Sequence, residues 1–242
     1  MALPNVTEFP KPRDSGSTGP PEIYLYQSIG SGLFGGISAE DVVKTVSAHA
    51  QAGAPDLSIR INSPGGEVFE GLSIYNALTR YPGRVTTYID GAAWSIASVI
   101  AMGGTSVHMA QNAQIMIHDP AALYFGVAED FRQLANQLDQ TKESLITAYQ
   151  RQTRAGRTRL SDWMSAETWF TAAEAEREGL VTVIDEPLPI AACAPAFMKF
   201  KNMPAWVHSQ VAKGRIRPLL EARAVGLKQM QERSKEILKR VS

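Results

Sequence analysis

Short segments with the composition of β-strands alternate with helical segments along most of the chain, and this alternation restricts the fold more than any other feature. The predicted strands cover residues 22–29, 56–62, 84–90, 105–109, 114–118 and 180–184. The predicted helices cover residues 38–52, 67–81, 95–104, 126–155 and 171–178, where apolar residues recur at helical spacing. Strands that alternate with helices predict an α/β fold with a mainly parallel sheet.

The two ends of the chain differ in composition from its middle. Residues 1–21 are rich in Pro, Gly and Ser and are predicted to form a flexible N-terminal segment. Residues 22–186 form the predicted domain, residues 187–205 a linker, and residues 206–242 a helical C-terminal extension. From residue 199 onwards there are eleven Lys and Arg against three Glu, a balance of +8. The remainder has 13 basic and 21 acidic residues, a balance of −8, so a basic tail follows an acidic body.

The composition argues against several classes of protein. The single cysteine, Cys193, cannot form an internal disulfide, and neither it nor the four histidines have metal-ligand spacing. The chain also lacks the glycine-rich phosphate-binding motif of P-loop proteins. No apolar run reaches the roughly 20 residues that cross a bilayer, and the N-terminus lacks the apolar core of a secretory signal. We therefore expect a cytoplasmic protein that needs no cofactor.

Three loops with small or polar residues each follow a predicted strand. The stretch SPGG follows strand 56–62, GAAWS follows strand 84–90, and HDP ends strand 114–118. Because the carboxyl ends of parallel strands meet at one edge of the sheet, we expect the three loops to lie close together.

Two residues of these loops, Ser95 and His118, suit nucleophilic catalysis. Ser95 opens a predicted helix, whose dipole stabilises a developing negative charge, although a serine there is also a common helix cap. His118 ends an apolar strand and offers the base that a serine nucleophile requires, although a lone histidine also fits a structural role. The glycine pair Gly65–Gly66 fits a plain turn and an oxyanion hole equally well.

The residue pattern does not identify an acidic partner for His118. Asp119 is adjacent, but Pro120 keeps it extended, so its side chain should point to the opposite face. Glu167 and Asp162 both lie where the chain returns to the sheet after the long helix. Periodicity does not choose between these two acids.

Three motifs, in order, resemble the Clp protease proteolytic subunit family, ClpP, of the ClpP/crotonase superfamily. INSPGGEVFEGLSIYNAL is similar to the family's strand–SPGG–helix signature, GAAWSIAS to its nucleophile turn and QIMIHDP to its histidine strand. The resemblance covers residues 22–186. It implies repeated β-β-α units and a long handle helix, here segment 126–155, through which rings of identical subunits stack.

The resemblance also implies a role for each matching position. Ser95 is expected to be the nucleophile and His118 the general base, with the N–H groups of Gly66 and Ile96 forming the oxyanion hole. Glu167 occupies the place of the family's aspartate in the catalytic triad. Asp162 is the alternative acid, and Gly65, Gly66 and Pro120 are expected to contact the substrate.

Departures from the housekeeping pattern resemble the ClpP-related head maturation proteases of tailed phages. These departures are Glu167, Trp94 before the serine and Asp119 after the histidine, together with the basic extension. We therefore expect a serine endopeptidase that processes capsid or scaffold proteins. A bacterial ClpP-like subunit that works with a Clp ATPase unfoldase is the alternative, and a catalytically silent scaffold on the same fold is the second. The basic extension leaves open a contact with nucleic acid, with an acidic protein or with neither.

Overall fold

The computed structural model of the chain describes residues 20–30, 36–53, 56–188 and 202. Contacts between residues divide the chain into two units, Met1–Cys193 and Ala194–Ser242. All helices and strands among the described residues belong to the first unit. Most of the predicted N-terminal segment and linker, and the whole predicted extension 206–242, lie outside the described residues and stay predictions.

The predicted alternation of strands and helices is confirmed. The strands are β1 (Glu22–Leu25), β2 (Asp56–Ser63), β3 (Arg84–Trp94), β4 (Ser106–Ala110), β5 (Gln114–Ile117), β6 (Thr168–Thr171) and β7 (Val183–Asp185). The helices are α1 (Ala39–Gln51), α2 (Val68–Thr79), α3 (Ile96–Ala101), α4 (Ala128–Tyr149), α5 (Arg157–Ser165) and α6 (Ala172–Arg177). Within the described part of the chain, no helix combines the length and the apolarity needed to cross a membrane.

The sheet is mainly parallel, as the alternation predicts. Its main path has the order β1-β2-β3-β4-β7, while β5 pairs in parallel with the end of β3 and β6 pairs antiparallel with β5. Strand β3 is 11 residues long because its first part pairs with β4 and its last residues, Ala92 to Trp94, pair with β5. The sequence prediction ended this strand at Asp90 and was wrong there, since the small residues of GAAW resemble a turn when their partner strand is unknown.

The core lies between the sheet and the helices α1, α2 and α3. The central strands β2, β3 and β5 are buried along most of their length, and Ile59, Ile61, Ile89 and Met109 are fully buried. Every residue of α3 is buried as well. Because β2, β3 and β5 run parallel, their carboxyl ends open at the same edge, so the three loops singled out in the sequence meet there.

Helix α4 corresponds to the predicted handle, with shorter bounds than the predicted 126–155. Only its last turns enter the core, where Leu145, Ile146, Ala148 and Tyr149 are buried. Its first half and the loop before it expose apolar side chains, which we call the handle patch. The handle patch consists of Leu123 (100% exposed), Tyr124 (48%), Phe125 (97%), Val127 (69%) and Phe131 (48%).

Candidate active site

Ser95 occupies the single-residue turn between the end of β3 and the start of α3. Its backbone has φ 54° and ψ −130°, a conformation that side-chain-bearing residues rarely adopt. Its N–H donates to the carbonyl of Met116 at 2.8 Å, and its own carbonyl accepts the N–H of Ser98 at 3.0 Å. A strained serine between a strand and a helix is typical of nucleophile turns, where the hydroxyl is presented at the edge of the sheet.

His118 follows β5 directly and contacts Ser95. Its Nε2 lies 2.7 Å from the Ser95 Oγ, which is hydrogen-bonding distance. The parallel pairing of β3 with β5 creates this contact, because it sets Trp94 beside Met116 and so brings the residues that follow each strand together. The structure therefore brings together the two residues that the sequence analysis singled out as nucleophile and base.

The surroundings of His118 keep its imidazole neutral near pH 7. Burial lowers the pKa of His118 below its ordinary value of 6.5, because a buried site penalises the charged form. The carboxylates of Glu167 and then Asp119 oppose this effect and raise the pKa in part. A neutral imidazole is the form that accepts a proton from a serine hydroxyl.

Glu167 lies in the turn between α5 and β6, within electrostatic reach of His118. It is only 9% exposed, has φ 50°, and accepts a hydrogen bond from the Trp169 Nε1 at 3.3 Å. Trp169 in turn packs edge-on against Trp94, with 5.1 Å between ring centroids. Trp169 therefore connects Glu167 to the residue that precedes Ser95.

The alternative acid, Asp162, is in a different environment. It lies on α5 with an exposed side chain, and its charge is not among the influences on the pKa of His118. Asp119 turns towards α4 and α5, where it forms an ion pair with Lys142 at 2.8 Å and accepts the Ser165 hydroxyl at 3.1 Å. Of the two acids that the sequence left open, only Glu167 acts on His118.

The glycine loop contacts the Ser95 turn directly. A Cβ atom on Gly65 would lie 2.7 Å from the Trp94 carbonyl oxygen and 2.8 Å from the Ser95 Cβ, and Gly65 has φ +91°. A Cβ atom on Gly66 would lie 2.0 Å from the Ile29 carbonyl oxygen. Only glycine allows this approach, so the loop is not a plain turn that would tolerate other residues.

Two N–H groups beside Ser95 are available to a ligand. Among the described residues, neither the Gly66 N–H nor the Ile96 N–H donates to a protein acceptor. Gly66 ends the glycine loop and Ile96 opens α3, so both belong to segments that contact or include the serine turn. Pro120, the third expected substrate contact, is half-buried in the loop after His118.

Sequence reasoning missed the strand that follows Glu167. Strand β6 has only four residues, TWFT, which is too short to show a period, and α5 before it was not predicted either. The one sequence signal for β6 is a pair of tryptophans, Trp94 and Trp169. They pack together in the structure but lie 75 positions apart in the chain.

Comparison with known proteins gives a consistent family. The model of the family described as Clp protease matches residues 23–187. ATP-dependent Clp protease proteolytic subunit 2 of Corynebacterium efficiens is 38% identical over 131 residues, which cover 52% of this chain and 64% of that protein. Subunit 3 of Streptomyces coelicolor is 33% identical over 141 residues, covering 57% and 65%. The chain thus spans slightly less than two thirds of the length of these two relatives.

A plant relative and a solved structure extend the comparison. An ATP-dependent Clp protease proteolytic subunit of Nuphar advena is 32% identical over 159 residues, covering 64% of this chain and 79% of that protein. The structure of a ClpP1 mutant from Listeria monocytogenes superposes with a TM-score of 0.60 and 23% identity, covering 68% of this chain and 91% of that one. This likeness confirms the expected ClpP-type fold. Since the family match covers the sheet and the candidate site, the chain belongs to the Clp protease family.

Proposed function

We propose that the chain is a serine endopeptidase of the ClpP type, which cleaves peptide bonds through an acyl-enzyme. The observation that carries this proposal is the 2.7 Å contact between the Ser95 Oγ and the His118 Nε2 at a strained strand–helix turn. The relatives named above are proteolytic subunits of Clp proteases, which supports the same activity.

In the first chemical step, His118 accepts the Ser95 proton on Nε2 while the Ser95 Oγ bonds to the scissile carbonyl carbon. The negative charge that develops on the carbonyl oxygen is stabilised by the N–H groups of Gly66 and Ile96. Removal of one such donor typically lowers the rate by about 10²- to 10³-fold.

The tetrahedral intermediate collapses when the carbon–nitrogen bond breaks and His118 donates its proton to the leaving amine. Water then attacks the ester carbonyl with His118 again accepting a proton, and Ser95 is released with its proton restored. Glu167 is the proposed third member of the triad. Its carboxylate orients the imidazole and stabilises the positive charge that His118 gains in each step.

The proposed substrate is an extended peptide that lies along Gly65 and Gly66. We expect the peptide to be held by backbone hydrogen bonds, as in strand addition. Pro120 and the loop 123–130 would bound the other side of the peptide.

For the biological role, we propose a bacterial-type proteolytic subunit that works with a Clp ATPase, in preference to a phage head maturation protease. The names of the relatives favour this role, since each is an ATP-dependent Clp protease subunit. The phage hypothesis rests on Glu167, on Trp94 and on the basic extension. The phage hypothesis predicts that the protein cleaves its own chain and also cleaves capsid or scaffold proteins.

We also propose that the chain assembles into rings of identical subunits. The handle patch supports this proposal, because its five large apolar side chains are exposed together on one short segment of the chain. Apolar surface of this kind is stabilised when a partner covers it.

The test of activity is labelling by a fluorophosphonate probe, which reacts only with activated serines, followed by intact mass spectrometry. We expect one adduct on the wild type and none on Ser95→Ala or His118→Ala. Ser73→Ala, which removes an exposed serine hydroxyl of α2, is the matched control and should label normally. Absence of an adduct on the assembled wild type would contradict the proposal and favour the silent scaffold.

The test of the biological role uses the same proteins. Peptide and unfolded-protein cleavage that rises with a Clp ATPase and ATP supports the Clp subunit. A shortened wild type beside a full-length Ser95→Ala protein, with no response to the ATPase, supports the head maturation protease instead.

A further inference from the structure

The inner face of α4 contacts residues next to both members of the catalytic pair. Lys142 and Tyr149 are seven positions apart, about two helical turns, so they project from the same face. We propose that both are positioning residues: Tyr149 holds the Ser95 turn through Ser98, and Lys142 holds the end of the His118 strand through Asp119. This inference rests on the proposed roles of Ser95 and His118.

The first link connects Tyr149 to Ser95. The Tyr149 hydroxyl lies 2.7 Å from the Ser98 Oγ, and the Ser98 Oγ donates to the Ser95 carbonyl at 2.6 Å. Because the single Ser98 hydroxyl proton is used on that carbonyl, the Tyr149 hydroxyl must be the donor to Ser98. Burial raises the pKa of Tyr149, so the hydroxyl keeps the proton that it donates.

This first link acts on the strained part of the site. Ser95 has positive φ, and its carbonyl accepts both the N–H and the hydroxyl of Ser98. Ser98 and Tyr149 are 0% and 2% exposed, so water does not compete for these hydrogen bonds. A strained conformation persists only where surrounding contacts hold it in place. The two hydrogen bonds from Ser98 to the Ser95 carbonyl are among those contacts.

The second link connects Lys142 to His118 through a closed triangle of polar groups. The Lys142 Nζ lies 2.8 Å from the Asp119 Oδ1 and donates to the Ser165 Oγ at 2.8 Å, while Ser165 donates to the Asp119 Oδ2 at 3.1 Å. The triangle therefore joins α4, the C-terminus of α5 and the residue after His118. The Lys142 side chain is only 16% exposed.

The same junction sets the position of the proposed acid. The carbonyl of Met164 accepts the N–H of Asp119 and the N–H of Glu167, each at 3.1 Å. The Met164 carbonyl thus links the backbone of the residue after His118 to the backbone of Glu167. Without Lys142, Asp119 is held only by its backbone hydrogen bond and by Ser165. We therefore expect the contact between the two segments to be less rigid.

The experiment measures kcat and KM for peptide cleavage by Lys142→Met and Tyr149→Phe in the assembled full chain. We expect kcat to fall about tenfold or more in each, with KM within about twofold, because small misplacement of catalytic groups is costly. Matched controls are Lys44→Met, which breaks an exposed ion pair on α1, and Tyr75→Phe on α2, both with wild-type kcat. Variants with kcat equal to these controls would overturn the inference.

The pH profile of kcat distinguishes positioning from a general loss of packing. The charges that act on His118 are those of Glu167, in the turn before β6, and Asp119, after β5, and Asp119 is paired with Lys142 of α4. Lys142→Met removes a positive charge that offsets Asp119, so the acid limb should move to higher pH. Asp119→Asn removes the negative charge, so the limb should move to lower pH. Unchanged limbs in both would contradict the second link.

Two further variants keep each link testable if the first change prevents folding. Ser98→Ala breaks the Tyr149 link at its other end, and Lys142→Arg should restore most of the activity that Lys142→Met loses. Fluorophosphonate labelling separates the possible failures. A wild type that does not label refutes the proposed function and this inference with it, whereas a labelled wild type with fully active variants refutes the inference alone.

Discussion

Trp94 and Met116 pair in register across β3 and β5, and this pairing brings the proposed nucleophile and base together. Ser95 comes one residue after Trp94, and His118 comes two residues after Met116. The Ser95 N–H donates to the Met116 carbonyl at 2.8 Å, which extends the pairing by one hydrogen bond. The 2.7 Å contact between the Ser95 Oγ and the His118 Nε2 follows from this register.

The two candidate acids can be separated by mutation. Glu167→Gln should lower kcat by about 10²- to 10⁴-fold, because it removes the carboxylate that we propose orients His118 and stabilises its positive charge. Asp162→Asn, the matched control at an exposed position of α5, should leave kcat unchanged. Steady-state cleavage of a peptide substrate measures both. A large loss of kcat in Asp162→Asn with unchanged kcat in Glu167→Gln would instead make Asp162 the acid.

The activity should depend on pH through His118. Only the neutral imidazole accepts the Ser95 proton, so activity is lost as the pH falls through the pKa of the folded protein. Since burial lowers this pKa below 6.5, the midpoint of the acid limb should lie below pH 6.5. The rate of fluorophosphonate labelling as a function of pH gives the midpoint. A midpoint clearly above 6.5 would mean that the carboxylates outweigh burial.

Substitution in the glycine loop should strongly reduce activity. Gly66→Ala would put a Cβ atom 2.0 Å from the Ile29 carbonyl oxygen, so the loop must move and its N–H groups with it. We expect a loss of about 10²-fold or more, as for removal of one oxyanion donor. Gly156→Ala is the control, because its Cβ atom would meet no other atom within 4 Å. Wild-type labelling of Gly66→Ala would exclude the loop from catalysis.

The ion pair between Arg60 and Asp90 should matter for stability and not for chemistry. Arg60 Nε donates to the Asp90 Oδ2 at 2.8 Å, and Tyr26 donates to the same oxygen at 2.5 Å, while Asp90 is only 7% exposed. Arg60→Met leaves a buried carboxylate without its cation, which costs about 3–5 kcal/mol of unfolding free energy. Urea denaturation measures this loss.

The Asp90 site also offers an internal control. The double variant Arg60→Met/Asp90→Leu removes both charges, so it should recover most of the stability that Arg60→Met loses. Lys44→Met, which breaks a fully exposed pair with Glu40, should leave the unfolding free energy almost unchanged, because solvent screens such pairs. Equal losses in the single and double variants would show that packing, and not charge, sets the stability here.

The handle patch should control assembly. Leu123→Ser with Phe125→Ser removes two side chains that are 100% and 97% exposed, so the monomer fold should be unaffected. We expect a smaller assembly by native mass spectrometry. Phe69→Ser, which removes a 73% exposed apolar side chain from α2, is the control and should assemble normally. Wild-type assembly of the double variant would place the interface elsewhere.

Much of the fold could be predicted from local sequence alone. The alternation of strands and helices, the meeting of three loops at one edge and the pair Ser95–His118 depend on residues close in sequence and on the rule that parallel strands end together. Such patterns reflect which face of each element is buried, and burial leaves a period of about two or 3.6 residues that the sequence displays.

The sequence by itself therefore determined the fold class, the family resemblance and the candidate nucleophile and base. Only the tertiary structure extended β3 to Trp94, revealed β6, showed the different environments of Glu167 and Asp162, and connected α4 through Lys142 and Tyr149 to residues near the proposed nucleophile and base. The reason is physical: these features arise from contacts between residues that are far apart in the chain, and such contacts leave no period in the local sequence. The pairing of a strand or the environment of a carboxylate exists only after the chain has folded around it.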